Sequence, residues 1–174
     1  MNNENFICDS RYFFILLYCQ IKTIEEMTLE DKELLLEDLC ARLPYGTMLN
    51  ISVNLFTDET FNARISTIDY CGEIKVRYGF EEYEQVFSLE QIKPYLFPLS
   101  SMTEEQKREL RQMDAFVNTF GQICFSTYDD YGHELVPTFE DAIRITNWLN
   151  KNHFDYRGLI DKGLAIDATR LNIY

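Results

Sequence analysis

The chain has 174 residues and carries 16 bases against 29 acids, a formal net charge of −13. At 46% apolar and 14% aromatic residues it is too hydrophobic for a disordered chain, and 7 Gly with 4 Pro exclude collagen-like and linker-like classes. A chain of this length buries about 70% of its unfolded surface and needs no metal or disulfide to fold, and no stretch approaches the ~20 apolar residues of a membrane span.

Residues 1–26 stand apart. Tyr12-Phe13-Phe14-Ile15-Leu16-Leu17-Tyr18-Cys19 has the hydrophobicity of a signal-peptide core, but Glu4, Asp9 and Arg11 give its flank the wrong sign. No small-residue cleavage site follows. We expect an upstream extension that is not part of the fold, with the folded chain starting at Met27.

Residues 28–43 predict an amphipathic helix. Thr28 caps it with Asp31 as partner, Leu35, Leu39 and Leu43 repeat at helical spacing beside Leu36 and Cys40, and Pro44-Tyr45-Gly46 ends it. The period then falls to two. Leu49, Ile51, Val53 and Leu55 form one strand, Phe61, Ala63 and Ile65 a second, Ile74, Val76 and Tyr78 a third, and Tyr83–Phe87 a fourth. Turns are predicted at Thr57–Thr60, Asp69–Gly72 and Gly79–Glu81. Ser88-Leu89-Glu90-Gln91 has the spacing of a capped helical turn, and Ile92–Pro98 is extended, with two prolines that suit an edge. These elements predict a small SH3-like antiparallel β-barrel behind an N-terminal helix, with an OB-type barrel or an open sheet as alternatives.

After a joint at 99–102, residues 103–119 predict a helix closed by Gly121, with Leu110, Met113, Phe116, Val117 and Phe120 on its apolar side. Gln122–Tyr128 is a candidate strand, and His133–Val136 a hairpin return after the turn at Asp129–Gly132. A helix follows from Thr138 to Asn150, with Trp148 in the core, and Asp155 caps a last short helix ending at Lys162-Gly163. The fold class is α+β. Residues 27–99 form the helix and barrel, and residues 100–174 a helix-rich part packed on it.

The acidity lies in residues 1–137, with 24 acids and 11 bases, while residues 138–174 balance at 5 and 5. Such a body repels phosphate backbones, so direct nucleic-acid binding is not expected. The five cysteines are odd in number and dispersed, without a Cys-x-x-Cys pair, which fits a reducing cytoplasm and no zinc or redox centre. Cys40 and Cys124 read as small buried hydrophobes.

Three stretches have a familiar look: Cys40-Ala41-Arg42-Leu43-Pro44-Tyr45-Gly46; Ile92-Lys93-Pro94-Tyr95-Leu96 with Ser101-Met102-Thr103-Glu104-Glu105; and Trp148-Leu149-Asn150 with His153-Phe154-Asp155-Tyr156-Arg157-Gly158-Leu159-Ile160. Together they make residues 27–167 resemble a group of short uncharacterised proteins of gut Bacteroides-type bacteria, their phages and mobile elements. The resemblance implies a start at Met27. It implies no reaction, cofactor or site residue.

Chemistry-bearing clusters are sparse. No nucleophile elbow, P-loop or Gly-x-Gly-x-x-Gly occurs, and no two glycines lie two apart. His133 falls in a turn, and Asp129, Asp130 and Glu134 lack the pattern of a calcium loop. The His153–Arg157 segment mixes His, Asp, Tyr and Arg as an acid–base site does, but each residue also has a structural role open to it. Asp155 caps, Arg157 pairs with an acid, and Phe154 and Tyr156 pack. Tyrosines on a small barrel form a groove for an extended ligand or fill the core. The residues assigned to partner binding are Tyr78, Tyr83, Tyr95, His153, Tyr156 and Arg157. The first reading is therefore a cytoplasmic, non-enzymatic protein-interaction module, an accessory protein of a phage or mobile element, with no cofactor, no metal and no membrane contact. The alternatives are an acidic mimic of nucleic acid that blocks a DNA-binding protein, and a small enzyme using residues 153–156.

Overall fold

A computed structural model describes residues 27–53, 59–69, 73–78, 83–128 and 131–174, with the backbone alone for Tyr78, Tyr83 and Glu84. The expected extension 1–26, the turns at 57–58, 70–72 and 79–82 and the acidic pair Asp129-Asp130 lie outside the described residues.

Helix α1 runs Leu29–Arg42. The Thr28 Oγ1 accepts from the Asp31 N–H at 3.1 Å and donates to the Asp31 carboxylate at 2.8 Å, so the cap and the first-turn charge support each other. Leu35 and Leu39 point into the core. Cys40, expected beside them, is exposed, because one further residue turns it about 100° off the buried stripe.

Strands β1 (Met48–Ser52), β2 (Thr60–Ile68), β3 (Ile74–Tyr78) and β4 (Tyr83–Phe87) form an antiparallel meander. A helical turn, Leu89–Gln91, leads into β5 (Ile92–Pro98), which pairs antiparallel with β1. Of the residues expected to alternate inward, Val53 lies past the end of β1 and is exposed, Phe61 is half-buried, and Leu55 and the Tyr78 side chain fall outside the described residues; the others point into the core. Leu49, Ile51, Ala63, Ile65, Ile74 and Val76 pack with Phe87 and Ile92 under Leu35 and Leu39 of α1. The opposite face presents Asn50, Asn62, Arg64, Arg77 and Lys93, as the strand register requires.

The sheet is not a closed barrel. Its order is β4-β3-β2-β1-β5-β8, and both C-terminal strands, β8 (Phe154–Asp155) and β9 (Ile166–Asp167), add parallel to β5. Closure onto β4 is blocked on one edge of β5. Pro94 offers no N–H there, and the Leu96 carbonyl on the same edge accepts from Ala168 N–H at 2.8 Å. For the same reason β5 is an interior strand and not the edge that its prolines suggested; its two-residue neighbours reach only Tyr95–Pro98.

The C-terminal half departs further from expectation. Helix α2 spans Glu104–Arg111, with Thr103 and Gln106 in a capping box, and stops well short of residue 119. Asp114 adopts φ 57°, a left-handed conformation that Asp tolerates, and the chain continues as strand β6 (Ala115–Val117). It returns as β7 (Ile123–Phe125) in a two-stranded sheet. Helix α3 spans Phe139–Lys151 on a Thr138–Asp141 capping box. Residues 159–163 form turns, not the expected helix, yet Asp155 still caps. Its two carboxylate oxygens accept from Leu159 N–H at 3.0 Å and Ile160 N–H at 2.8 Å. Leu99, Met102, Leu110, Ala115, Ile145, Leu149 and Phe154 make a second core, with the Trp148 ring stacked on Phe154 at 5.7 Å.

Candidate functional site

Two places concentrate polar or exposed groups that the fold alone does not require. The first is a buried polar cluster where α1, β8 and the C-terminal residues meet. Asp38 and Arg42 are one turn apart on the buried stripe of α1, and both side chains are fully buried. Arg42 donates to Asp38 through Nε at 2.7 Å and Nη2 at 3.0 Å, and Nη2 also donates to the Phe154 carbonyl at 2.8 Å. Its Nη1 has no partner among the described residues. Arg157 also reaches Asp38, with Nε at 3.4 Å, and its Nη1 lies 2.9 Å from the neighbouring Glu37. The Tyr156 ring lies between the two cations, 5.6 Å from the Arg42 guanidinium and 5.2 Å from that of Arg157.

His153 occupies the other side of this cluster. Its backbone is held twice, donating to the Asn150 carbonyl at 3.1 Å and accepting from Phe97 N–H at 2.9 Å, in a left-handed conformation of φ 57°. Its ring stacks on Tyr174 at 4.0 Å, with Nδ1 3.3 Å from Thr47 Oγ1. Burial, helped by the positive field of Arg42 and Arg64, pushes its pKa down to about 4, so the imidazole is neutral at pH 7. The Tyr174 hydroxyl donates to the Tyr95 carbonyl at 2.8 Å and accepts from Met48 N–H at 3.3 Å, and burial pushes it up to about 12. It fills the gap where β1 and β5 diverge. Each of these contacts is spent on holding the chain.

The second place is a groove of about 500 Å³ between the β6–β7 hairpin and α3. One wall is Ala142, Ile145, Thr146 and Leu149, a single face of α3 at spacings of three and four. The other wall is the consecutive run Gly121–Phe125. The Ile123 and Phe125 side chains pack against the core that Ile145 and Leu149 help to form, while all five residues of the run border the groove, so the groove follows the free edge of β7 beside α3. The pairing of the hairpin says which peptide groups lie on that edge. Asn118 N–H donates to Gln122, and Ser126 N–H to Asp114, which makes 116–124 the intervening hydrogen-bonded pair. The N–H and C=O of Ile123 and Phe125 therefore point away from β6. Leu135 N–H covers the same edge at Thr127, at 2.8 Å; Ile123 and Phe125 have no backbone partner there among the described residues. Leu99 and Tyr156 also line the groove, and Cys124, with its Sγ 3.4 Å from Asn118 Nδ2, lies on the strand wall.

Of the residues expected to bind a partner, His153, Tyr156 and Arg157 come together in the buried cluster, and Tyr156 alone also borders the groove. Tyr95 is 6% exposed and is not a groove tyrosine. It lies on the outer face of the sheet under the C-terminal residues, with its hydroxyl donating to Asn62 at 2.8 Å and accepting from Asn50 at 3.1 Å. Tyr78 and Tyr83 are directly paired across β3 and β4, but their side chains lie outside the described residues. The residues that sequence reasoning missed are those of the groove, because residues 112–119 read as helix. The readable signal was Asn118-Thr119-Phe120-Gly121, a turn sequence inside that supposed helix. Among the described residues, no group of three His, Cys, Asp or Glu is placed to hold a metal, and no helix is long and apolar enough to cross a membrane. Comparison of the chain with protein-family models, with curated proteins and with solved structures returns no match.

Proposed function

We propose that the chain is a non-enzymatic protein-interaction module, an accessory protein of a phage or mobile element, and that it meets its partner through the surface formed by the hairpin and α3. The observation that carries this reading is where large apolar side chains remain in water. Phe120 is 86% exposed at the hairpin tip and Phe139 81% at the start of α3, with Phe116 and Ile143 also exposed on the same two elements. Exposed apolar groups carried by the same two elements that wall a groove favour an interface over chance. The helical turn Leu89–Gln91 before β5 also supports reading the meander as an opened SH3-like sheet, a frequent binding platform, though only by analogy of fold.

The test compares proteins retained from cells of the native host by the chain and by its Phe120→Ser, Ile143→Ser double variant. We expect one protein to be retained by the first and lost by the second, while thermal unfolding is unchanged. Retention that ignores the double substitution overturns the reading. So does tight binding of duplex DNA at physiological salt, for which Arg64, Arg77 and Lys93 on the outer sheet face supply the charge to be controlled.

A further inference from the structure

Resting on that reading, we infer that the groove takes an extended segment of the partner, added as a third strand to the free edge of β7 and carrying a Lys or Arg where it passes Phe125. Three observations lead there. First, the N–H and C=O of Ile123 and Phe125 face the groove with no backbone partner among the described residues, so the complement they need is another strand. A helix laid in the groove keeps its own peptide groups bonded internally and leaves these unmatched. Secondly, the occupant is a single strand. A second copy pairing through its own β7 would bring its β6 as well, and a groove of about 500 Å³ walled on one side by α3 suits one segment better than a two-stranded hairpin. An isolated segment has no such second strand, and its alternate side chains meet Leu99, Ile145 and Leu149. Thirdly, the charge at one end is set. Beyond Phe125 the groove gives way to a small cavity lined by Asp114 and Asp141, and Glu140 is exposed in the same first turn of α3. Arg144 sits 2.9 Å from Asp141 and offsets part of that charge; Asp114 has no ion pair among the described residues. A basic side chain or a free amino terminus fits that end, and an acidic one is repelled.

The test pans a phage-displayed library of random peptides, about ten residues long and so sufficient for one added strand, on the full chain. Enriched peptides are then made with a fluorescent label and titrated by anisotropy. We expect apolar residues at alternate positions with Lys or Arg toward one end. N-methylation of those peptide amides that face β7 weakens binding by about tenfold or more, because each removes a strand hydrogen bond, whereas methylation of the intervening amides does not. Ala142→Arg, which fills the groove from the α3 side, abolishes binding. Since that variant alters packing, a second reading uses the unaltered chain: the Ile123 and Phe125 amides exchange rapidly with solvent when free and slowly with peptide bound. Peptides that bind with no N-methyl pattern, or without slowing those two amides, overturn strand addition and leave the interaction module standing. Failure to enrich any peptide also overturns it. A partner whose retention ignores Phe120→Ser and Ile143→Ser removes the module reading itself.

Discussion

Arg42 grips Asp38 one helical turn earlier through two nitrogens, at 2.7 and 3.0 Å, and neither side chain reaches solvent. A buried pair of this kind is costly to break and cheap to replace, since removing one partner strands the other charge without water. Asp38→Ala is expected to lower unfolding stability by about 3–5 kcal/mol, whereas the double change Asp38→Leu, Arg42→Met costs much less. Urea unfolding of the two single variants and the double variant measures this. A double variant as unstable as the sum of the singles would mean that Asp38 and Arg42 are not coupled and would overturn this expectation.

His153 makes stability depend on pH. Its folded pKa, about 4, lies below the ordinary 6.5. Above pH 6.5 both folded and unfolded states hold it neutral. As pH falls through 6.5 the unfolded chain takes up a proton that the fold refuses, and stability drops until about pH 4, where the slope ends. The full difference is worth roughly 3 kcal/mol. Replacement by Asn, which tolerates the left-handed backbone at this position, should flatten stability across that window. Denaturation midpoints at several pH values for both proteins check it.

Tyr174 shields that imidazole. With Tyr174→Ala the stack at 4.0 Å and the hydroxyl bridge between Tyr95 and Met48 are lost together. The His153 pKa is expected to move up toward its ordinary value, and stability to fall by about 1–2 kcal/mol. An NMR titration of the His153 ring protons follows the first, thermal unfolding the second. A pKa still near 4 would mean that Arg42 and Arg64, and not burial under Tyr174, hold the ring neutral.

Asp155 satisfies two N–H groups with one carboxylate. Asp155→Ala leaves the buried Leu159 N–H without its acceptor and should cost about 1–3 kcal/mol, while Asp155→Asn, which keeps one acceptor oxygen, recovers part of it. Hydrogen exchange at Leu159 and Ile160 is expected to speed up in the Ala variant alone.

The hairpin rests on Gly121. Its φ of 74° closes the loop after Asn118, whose side-chain oxygen accepts from Phe120 and Gln122 N–H, both at 2.9 Å. Nothing lies within 4 Å of where a Cβ would stand, so Gly121→Ala meets strain from the backbone and none from crowding. A loss of about 1 kcal/mol is expected, with faster exchange of the Cys124 amide as the hairpin frays.

Local patterns in the chain were enough to place α1, four meander strands and α3, because each depends on caps and periodicity within a dozen residues: Thr28 with Asp31, Thr138 with Asp141, Leu49 to Val76 on alternate positions. The buried ion pair was also open to reading, since Leu35, Asp38, Leu39 and Arg42 share one helical stripe. The helix predicted for 103–119 failed because its apolar spacing is real but serves two elements. Leu110 and Ala115 fill the same core from α2 and β6, and Asp114 turns the chain between them.

Composition and periodicity by themselves determined an acidic α+β chain with a helix, a meander sheet and helices after it. Only the tertiary structure decided that the sheet stays open, that His153 and Tyr95 are buried, and that β7 and α3 wall a common groove. Each of these joins segments far apart in the chain: β5 to Ala168, His153 to Tyr174 and Thr47, Gly121–Phe125 to Ala142–Leu149. Short strands and single hydrogen bonds between such distant segments leave no period in the sequence. Their placement follows from which edges and faces remain unfilled once the local elements have packed.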